Sequence, residues 1–225
     1  MKKVVAVYTG QGLAEPLKSI FDEQLPEVKL VNIIDDSIIS EVVSEGEISA
    51  SVKKRLFQYY QSAVDMGADI ILNTCSSVGE VADLARPFID IPIVKIDEAM
   101  AIEAVENYET IGVIATLPST LDPTMRLIER QAELLQKNVR IIDALAKGAY
   151  DALVGGNPKI HDQIILKTAI SVSSEVDVLV LAQGSMARME NLLREQTGVP
   201  VLSSPSRGVS EIKSLLGESV YADRK

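Results

Sequence analysis

Two stretches of this sequence match one another at a constant spacing. Ala68–Cys75 (ADIILNTC) aligns with Val176–Gln183 (VDVLVLAQ), and Ile91–Val94 (IPIV) with Val199–Leu202 (VPVL), both at a shift of 108 residues and without a gap. Val4–Thr9 resembles Ile111–Thr116 at a shift near 107. An ordinary alternation of strands and helices explains neither the shared offset nor the paired I/V-P-I/V. The pattern therefore predicts a duplicated chain, and 225 residues suffice for two units of roughly 100 each. Two homologous halves are expected to pack about a pseudo-two-fold axis, with a cleft where corresponding loops meet. Ligands in such sheets bind beyond the carboxyl ends of the strands.

Short apolar runs alternate with longer helical patterns in both halves. Strands are predicted at 4–8, 28–34, 69–72, 91–96, 111–115, 139–142, 177–181 and 199–202. Helices are predicted at 13–24, 51–66, 77–85, 122–137, 160–174 and 186–197. In the second of these Leu56, Tyr59, Ala63 and Met66 would share one face, and Gly67 would end the helix. Strands that alternate with helices pair in parallel through crossover connections. The expected fold is α/β, with two pseudo-symmetric Rossmann-like lobes built on parallel sheets. Lobe 1 is expected at 1–98 and 203–225, and lobe 2 at 99–202.

Composition removes several classes of function. The net charge is −10, aromatic residues make up 4 %, and there is no Trp. Nucleic-acid binding requires a cationic footprint, often with stacking rings, and anionic membranes repel an acidic surface. No stretch of about 18 apolar residues is present, and the run Val4–Tyr8 is too short for the core of a signal peptide. A cytoplasmic protein is expected, without a nucleic-acid or membrane partner. One Cys and one His allow neither an internal disulfide nor a standard zinc site, so no metal is expected. A Ser-His-Asp triad would need His161, and no G-x-S-x-G elbow accompanies it.

The chemistry concentrates at predicted strand ends. Asn73-Thr74-Cys75-Ser76-Ser77 follows one strand and precedes a helix. A helix N-terminus lowers a thiol pKa and favours the nucleophilic or basic thiolate. Ser76 or Ser77 is expected to cap the helix, and the amides there can hold a carboxylate. A small core cysteine is the bland alternative. The repeat partner of Cys75 is Gln183, followed by Gly184, which permits close backbone approach, and Ser185, a candidate cap. Gln cannot exchange a proton near neutral pH, but it donates and accepts hydrogen bonds. Thr9-Gly10 and Thr116 to Thr120 occupy corresponding turns that can present hydroxyls and amides to an anion; ordinary turns are the alternative. Gly10-x-Gly12 lacks the rest of a nucleotide fingerprint. Arg207 either pairs with a carboxylate or is solvated. Lys95 and Asp35-Asp36 read as surface or loop charges, and His161 as structural.

In order and spacing, Val4–Gly10, Asn73–Ser77, IPIVKIDEA at 91–99, IGVIATLPST at 111–120, AQGSMA at 182–187 and Val199–Gly208 resemble the aspartate/glutamate/hydantoin racemase superfamily. The resemblance spans nearly the whole chain. It implies two similar α/β lobes with the site in the cleft between them, no cofactor, a small carboxylate substrate and a homodimer. Racemases of this kind use two cysteines on opposite faces of the substrate, with Thr, Ser, Asn and backbone amides holding the carboxylates. Here the first cysteine position falls on Cys75 and the second on Gln183. The chain is also similar to arylmalonate decarboxylases, whose one catalytic cysteine lies in the second lobe, and to maleate isomerases, which use cysteine as a nucleophile. The expected function is a cofactor-independent racemase or isomerase acting through Cys75 as base, acid or nucleophile. Gln183 would orient the substrate or a water. Thr9, Gly10, Asn73, Thr74, Ser76, Ser77, Thr116, Thr120, Gly184 and Ser185 would line the carboxylate site. The alternatives are a single-cysteine decarboxylase or lyase, a cis-trans isomerase, and a non-catalytic carboxylate-binding protein.

Overall fold

Most of the apolar runs are strands buried on both faces, which is why they read as continuous rather than alternating; the two at 29–34 and 140–145 lie at sheet edges and are partly exposed. A computed structural model of the chain describes residues 1–222, with side chains through Gly217. It divides into two compact units, Met1–Ile96 with Pro205–Lys225, and Asp97–Ser204.

The first unit holds a parallel sheet in the order β2-β1-β3-β4, formed by β1 (Lys3–Tyr8), β2 (Lys29–Ile34), β3 (Ile70–Asn73) and β4 (Ile93–Lys95). Side-chain alternation divides its core in two. Val5, Val7, Ile71 and Ile93 face α2 (Ser37–Glu45), α3 (Ala50–Asp65) and α4 (Gly79–Ala85). Val4, Ala6, Tyr8, Ile70, Leu72 and Val94 face α1 (Ala14–Gln24) and α10 (Ser204–Ala222).

The second unit has the same plan. Its parallel sheet runs β6-β5-β7-β8, from β5 (Thr110–Ala115), β6 (Arg140–Leu145), β7 (Val178–Leu181) and β8 (Val201–Ser203). One face packs on α5 (Glu98–Asn107) and α6 (Pro118–Leu134). The other packs on α8 (Pro158–Val172) and α9 (Glu190–Thr197), with α7 (Ala149–Val154) beside them.

The duplication extends to individual hydrogen bonds. The carboxylates of Asp69 and Asp177 each accept the backbone N–H that opens the central strand of their sheet, from Lys3 and Thr110, both at 2.7 Å. Ile71 N–H donates to Pro92 O and Leu179 N–H to Pro200 O, both at 2.9 Å. Cys75 and Gln183 have nearly the same extended backbone, φ −128°, ψ 118° and φ −117°, ψ 130°.

Several local expectations are corrected. On α3 the buried face is Val52, Leu56, Tyr60 and Ala63; Tyr59 is turned to Asp35 and Met66 is exposed. Gly67 does end that helix, at φ +72°, a left-handed conformation that glycine adopts without a Cβ penalty. The predicted helix at 77–85 is a three-residue 3₁₀ turn, Ser76–Val78, leading into α4. Ser76 and Ser77 lie inside it, and neither holds an N-cap position: those fall on Cys75 and Val78, neither of which makes a side-chain capping bond. Ser185 likewise lies inside a 3₁₀ segment, Gly184–Met189, whose N-cap is Gln183. Helices α2, α5, α7 and α10 are additional. Among the described residues no helix is long and apolar enough to cross a membrane.

Two charged groups read as surface or loop are built into the fold. Lys95 is buried and pairs with Asp83 at 2.8 Å. Asp35, at the end of β2, accepts from Ser37 Oγ at 2.5 Å, Tyr59 OH at 2.8 Å and Arg55 Nη1 at 2.9 Å; Arg55 also reaches Glu41. Burial alone would raise the Asp35 carboxyl, but the hydroxyl bonds and the Arg55 charge outweigh it and hold it below its ordinary value. Asp69, bonded to the Lys3 N–H and the Lys2 ammonium, is held down against the same penalty. Asp162 is lowered chiefly by Arg188.

A carboxylate with a lowered folded-state pKa stabilises the fold above its unfolded value of 3.8, and that stability is lost as pH falls through the folded value. Urea midpoints are therefore expected to hold from pH 7 to 5 and fall steeply below pH ~4. Asp69→Asn should flatten part of that fall, and an unchanged acid limb would refute the assignment.

Candidate active site

In each unit the two central strands are the place where the strand order reverses. β1 leads outward to β2 and β3 leads outward to β4; β5 and β7 do the same in the second sheet. The carboxyl ends flanking such a switch point form the usual ligand crevice of an open α/β sheet. Thr9 and Cys75 follow β1 and β3, and Thr116 and Gln183 follow β5 and β7. The expected residues thus gather into two strand-end clusters, one per unit.

In the first cluster, Cys75 is half-buried and packs against the α3–α4 side of the core. Its backbone is held from below. Tyr60, fully buried, donates its hydroxyl to Asn73 Oδ1 at 3.0 Å, and Asn73 Nδ2 donates to the Cys75 carbonyl at 3.1 Å. Burial pushes the Tyr60 phenol up, its surroundings at Cys75 and Asp83 add to the rise, and Arg86 opposes it. Tyr60 therefore stays a neutral donor and sets the direction of the Asn73 amide. Thr74 donates its hydroxyl to Val7 O at 3.0 Å. Asn73 and Thr74, expected to line the carboxylate site, are thus engaged inside the fold and hold the loop. Ser76 and Ser77 are buried.

Thr9 is buried, and its carbonyl accepts from Ile39 N–H at 3.4 Å; Gly10 beside it is half-buried. The Asp35–Arg55 group ties α2 and α3 together beside this loop. Sequence reasoning missed this group and Tyr60. The spacing of Tyr60 with Leu56 and Ala63 along α3 was the available signal.

In the second cluster Gln183 is half-buried and bonded twice to one residue. Its Oε1 accepts Thr116 N–H at 3.0 Å, and its Nε2 donates to Thr116 Oγ1 at 2.7 Å. The Thr116 amide, expected to face an anion, is therefore engaged, while its hydroxyl remains. Thr120 is buried in the first turn of α6, Gly184 is half-buried and Ser185 is exposed. Arg188, in the turn after Gly184, pairs with Asp162 at 2.7 Å. His161 is buried, and its Nδ1 lies 2.8 Å from Asp162 Oδ1, which fits its structural reading. Arg207 lies in the first turn of α10. Among the described residues no group of three or more His, Cys, Asp or Glu is placed to hold a metal ion.

The profile of the Asp/Glu/Hydantoin racemase family matches residues 5–212. The chain belongs to this family. Its duplicated fold recurs in solved structures of low identity. Glutamate racemase from Francisella tularensis, in complex with D-glutamate, superposes with a TM-score of 0.74 at 17 % identity, covering 97 % of this chain and 82 % of that one. Aspartate racemase from Picrophilus torridus gives 0.71 at 16 %, covering 95 % and 94 %. A glycine-to-cysteine mutant of arylmalonate decarboxylase, in a sulfate-associated form, gives 0.63 at 14 %, covering 96 % and 93 %. Among curated proteins none matches this sequence. Family membership and fold are thus shared with racemases, which are isomerases, and the fold also with a decarboxylase.

Proposed function

We propose that this racemase-family chain is a cofactor-independent enzyme acting on a small carboxylate, an amino acid or dicarboxylate, with Cys75 as its base, acid or nucleophile. The observation that carries the reading is the placement of the chain's one thiol. Cys75 stands at the carboxyl end of β3, beside the switch point, on a backbone held by Tyr60 and Asn73. A cysteine serving only as core filler needs no such support. Thr9, Gly10, Ser76, Ser77, Thr116, Thr120, Gly184 and Ser185 supply hydroxyls and amides for the substrate carboxylates. Asn73 and Thr74 act through the loop they hold.

Gln183 stands where a second cysteine would. With one thiol, proton transfer is confined to one face of the substrate, so a biased isomerase or a decarboxylase fits better than a fast two-way racemase. Cytoplasmic location and a homodimeric state belong to the same reading.

The test is alkylation of Cys75 by iodoacetamide near pH 7, against a model thiol. Fast labelling that malonate or aspartate slows is the expected result. Slow labelling, indifferent to every small carboxylate, would mark a core cysteine and overturn the reading.

A further inference from the structure

The two clusters differ in what occupies the end of their third strand, and that difference has a directional consequence. Gln183 meets Thr116 at two points. The backbone N–H of Thr116 is only a donor, so the Gln183 atom facing it at 3.0 Å must be the carbonyl oxygen. The Gln183 amide is thereby oriented, and the atom facing the Thr116 hydroxyl at 2.7 Å is its NH₂ group. An NH₂ group cannot accept, so the Thr116 oxygen must. A hydroxyl that accepts there has its own proton left to donate. Thr116 is 7 % exposed.

We infer that Gln183 is a positioning residue: it turns the Thr116 hydroxyl outward as a committed donor to a carboxylate or oxyanion of the substrate, in place of the proton transfer a cysteine would perform there. This rests on the functional reading above. The replacement of the thiol thus converts the second cluster from a proton-transfer station into an anion-binding one. The chain then favours anionic substrates whose reacting proton is handled from the Cys75 side alone. A Glu at this position would still accept the N–H, but it would turn the hydroxyl proton onto itself and add a negative charge.

Malonate affinity, measured by calorimetry at pH 7.5, tests the inference on four proteins besides the wild type: Gln183→Glu, Thr116→Val, Thr116→Ser and the Gln183→Glu, Thr116→Val double variant. One hydrogen bond to a charged group corresponds to about a 10- to 100-fold change. Gln183→Glu and Thr116→Val should each weaken binding by about that factor. Thr116→Ser, which retains the hydroxyl, should bind like the wild type. The double variant should lose little beyond the worse single one, because both changes remove the same donor. Thermal melts of all four identify a change that acts only by loosening the fold, which Thr116→Ser would not rescue selectively. A wild type that binds malonate while Gln183→Glu binds it equally well would overturn the inference alone, as would fully additive losses. A wild type that binds neither malonate nor aspartate and shows no protected thiol would remove the functional reading and this inference with it.

Discussion

Replacing Cys75 by Ser is expected to lower turnover of a carboxylate substrate by about 10²–10⁴-fold, the usual contribution of a general acid–base group. The serine hydroxyl titrates far above any working pH, so it serves neither as base nor as thiolate nucleophile. The same experiment run in D₂O resolves the stereochemistry. Inverting a stereocentre without a cofactor requires a proton to leave one face and another to arrive on the opposite one. Under the proposed role of Cys75 one face is served, and a carboxamide at 183 serves neither. Wild-type enzyme should therefore exchange or deliver deuterium with strong facial bias. Gln183→Cys should raise racemisation relative to that biased reaction, because it supplies a second thiol at the corresponding position of the repeat. It should also weaken substrate binding, since Thr116 loses the amide that turns its hydroxyl. Product enantiomer ratio and deuterium content for the three proteins decide the matter. Fast, symmetrical racemisation by the wild type would mean that another residue supplies the second base.

Gly208→Ala is expected to cost about 1–3 kcal/mol of stability, because overpacked sites force shifts of this order. A Cβ at Gly208, on α10, would lie 2.7 Å from the Ile96 carbonyl oxygen and 3.0 Å from its Cα. Both atoms are backbone, so neither yields by changing a rotamer. Helix α10 is held to the sheet by Val209, Ile212 and Leu216, and pushing it away from β4 loosens that whole face. At roughly 2–4 °C per kcal/mol for a chain of this size, the melting temperature should fall by several degrees. Gly79→Ala is the control. Its added Cβ would meet only Lys95 Cδ at 3.6 Å, an ordinary contact. Alanine is also the better helix former, so stability should hold or rise. Equal melting temperatures for the two variants would refute the close approach at Gly208.

Much of this architecture was legible as pattern. Parallel strands buried on both faces require continuous apolar runs, and β1, β3, β4, β5, β7 and β8 announced themselves that way; the edge strands β2 and β6 are partly exposed and were marked by their β-branched residues. The constant offset is a covalent property of the chain, and it reappears in the Asp69–Lys3 and Asp177–Thr110 bonds. The placement of Cys75 and Gln183 at strand ends followed from the same reasoning. The 3₁₀ turns after these residues did not, because a polar N-T-C-S-S run is equally compatible with a capped α-helix. Lys95 was misread because a buried ammonium is ordinarily excluded by its desolvation cost. The approach of Asp83, twelve residues away, offsets that cost, and no local pattern records it.

The sequence alone determined the duplicated α/β plan, the family, and the thiol–amide asymmetry between the halves, since each depends on residue type and spacing along the chain. Tertiary structure decided the rest. Helix α5 follows the last strand of the first sheet but packs in the second unit, through Met100, Ala101, Ala104 and Val105. Helix α10 follows the last strand of the second sheet and packs in the first. An amphipathic pattern specifies that a face must be buried, not which sheet will bury it. The direction of the Thr116 hydroxyl is likewise invisible in sequence. It depends on two hydrogen bonds across 67 residues, and a hydrogen bond is set by the distance and orientation of its partners in space.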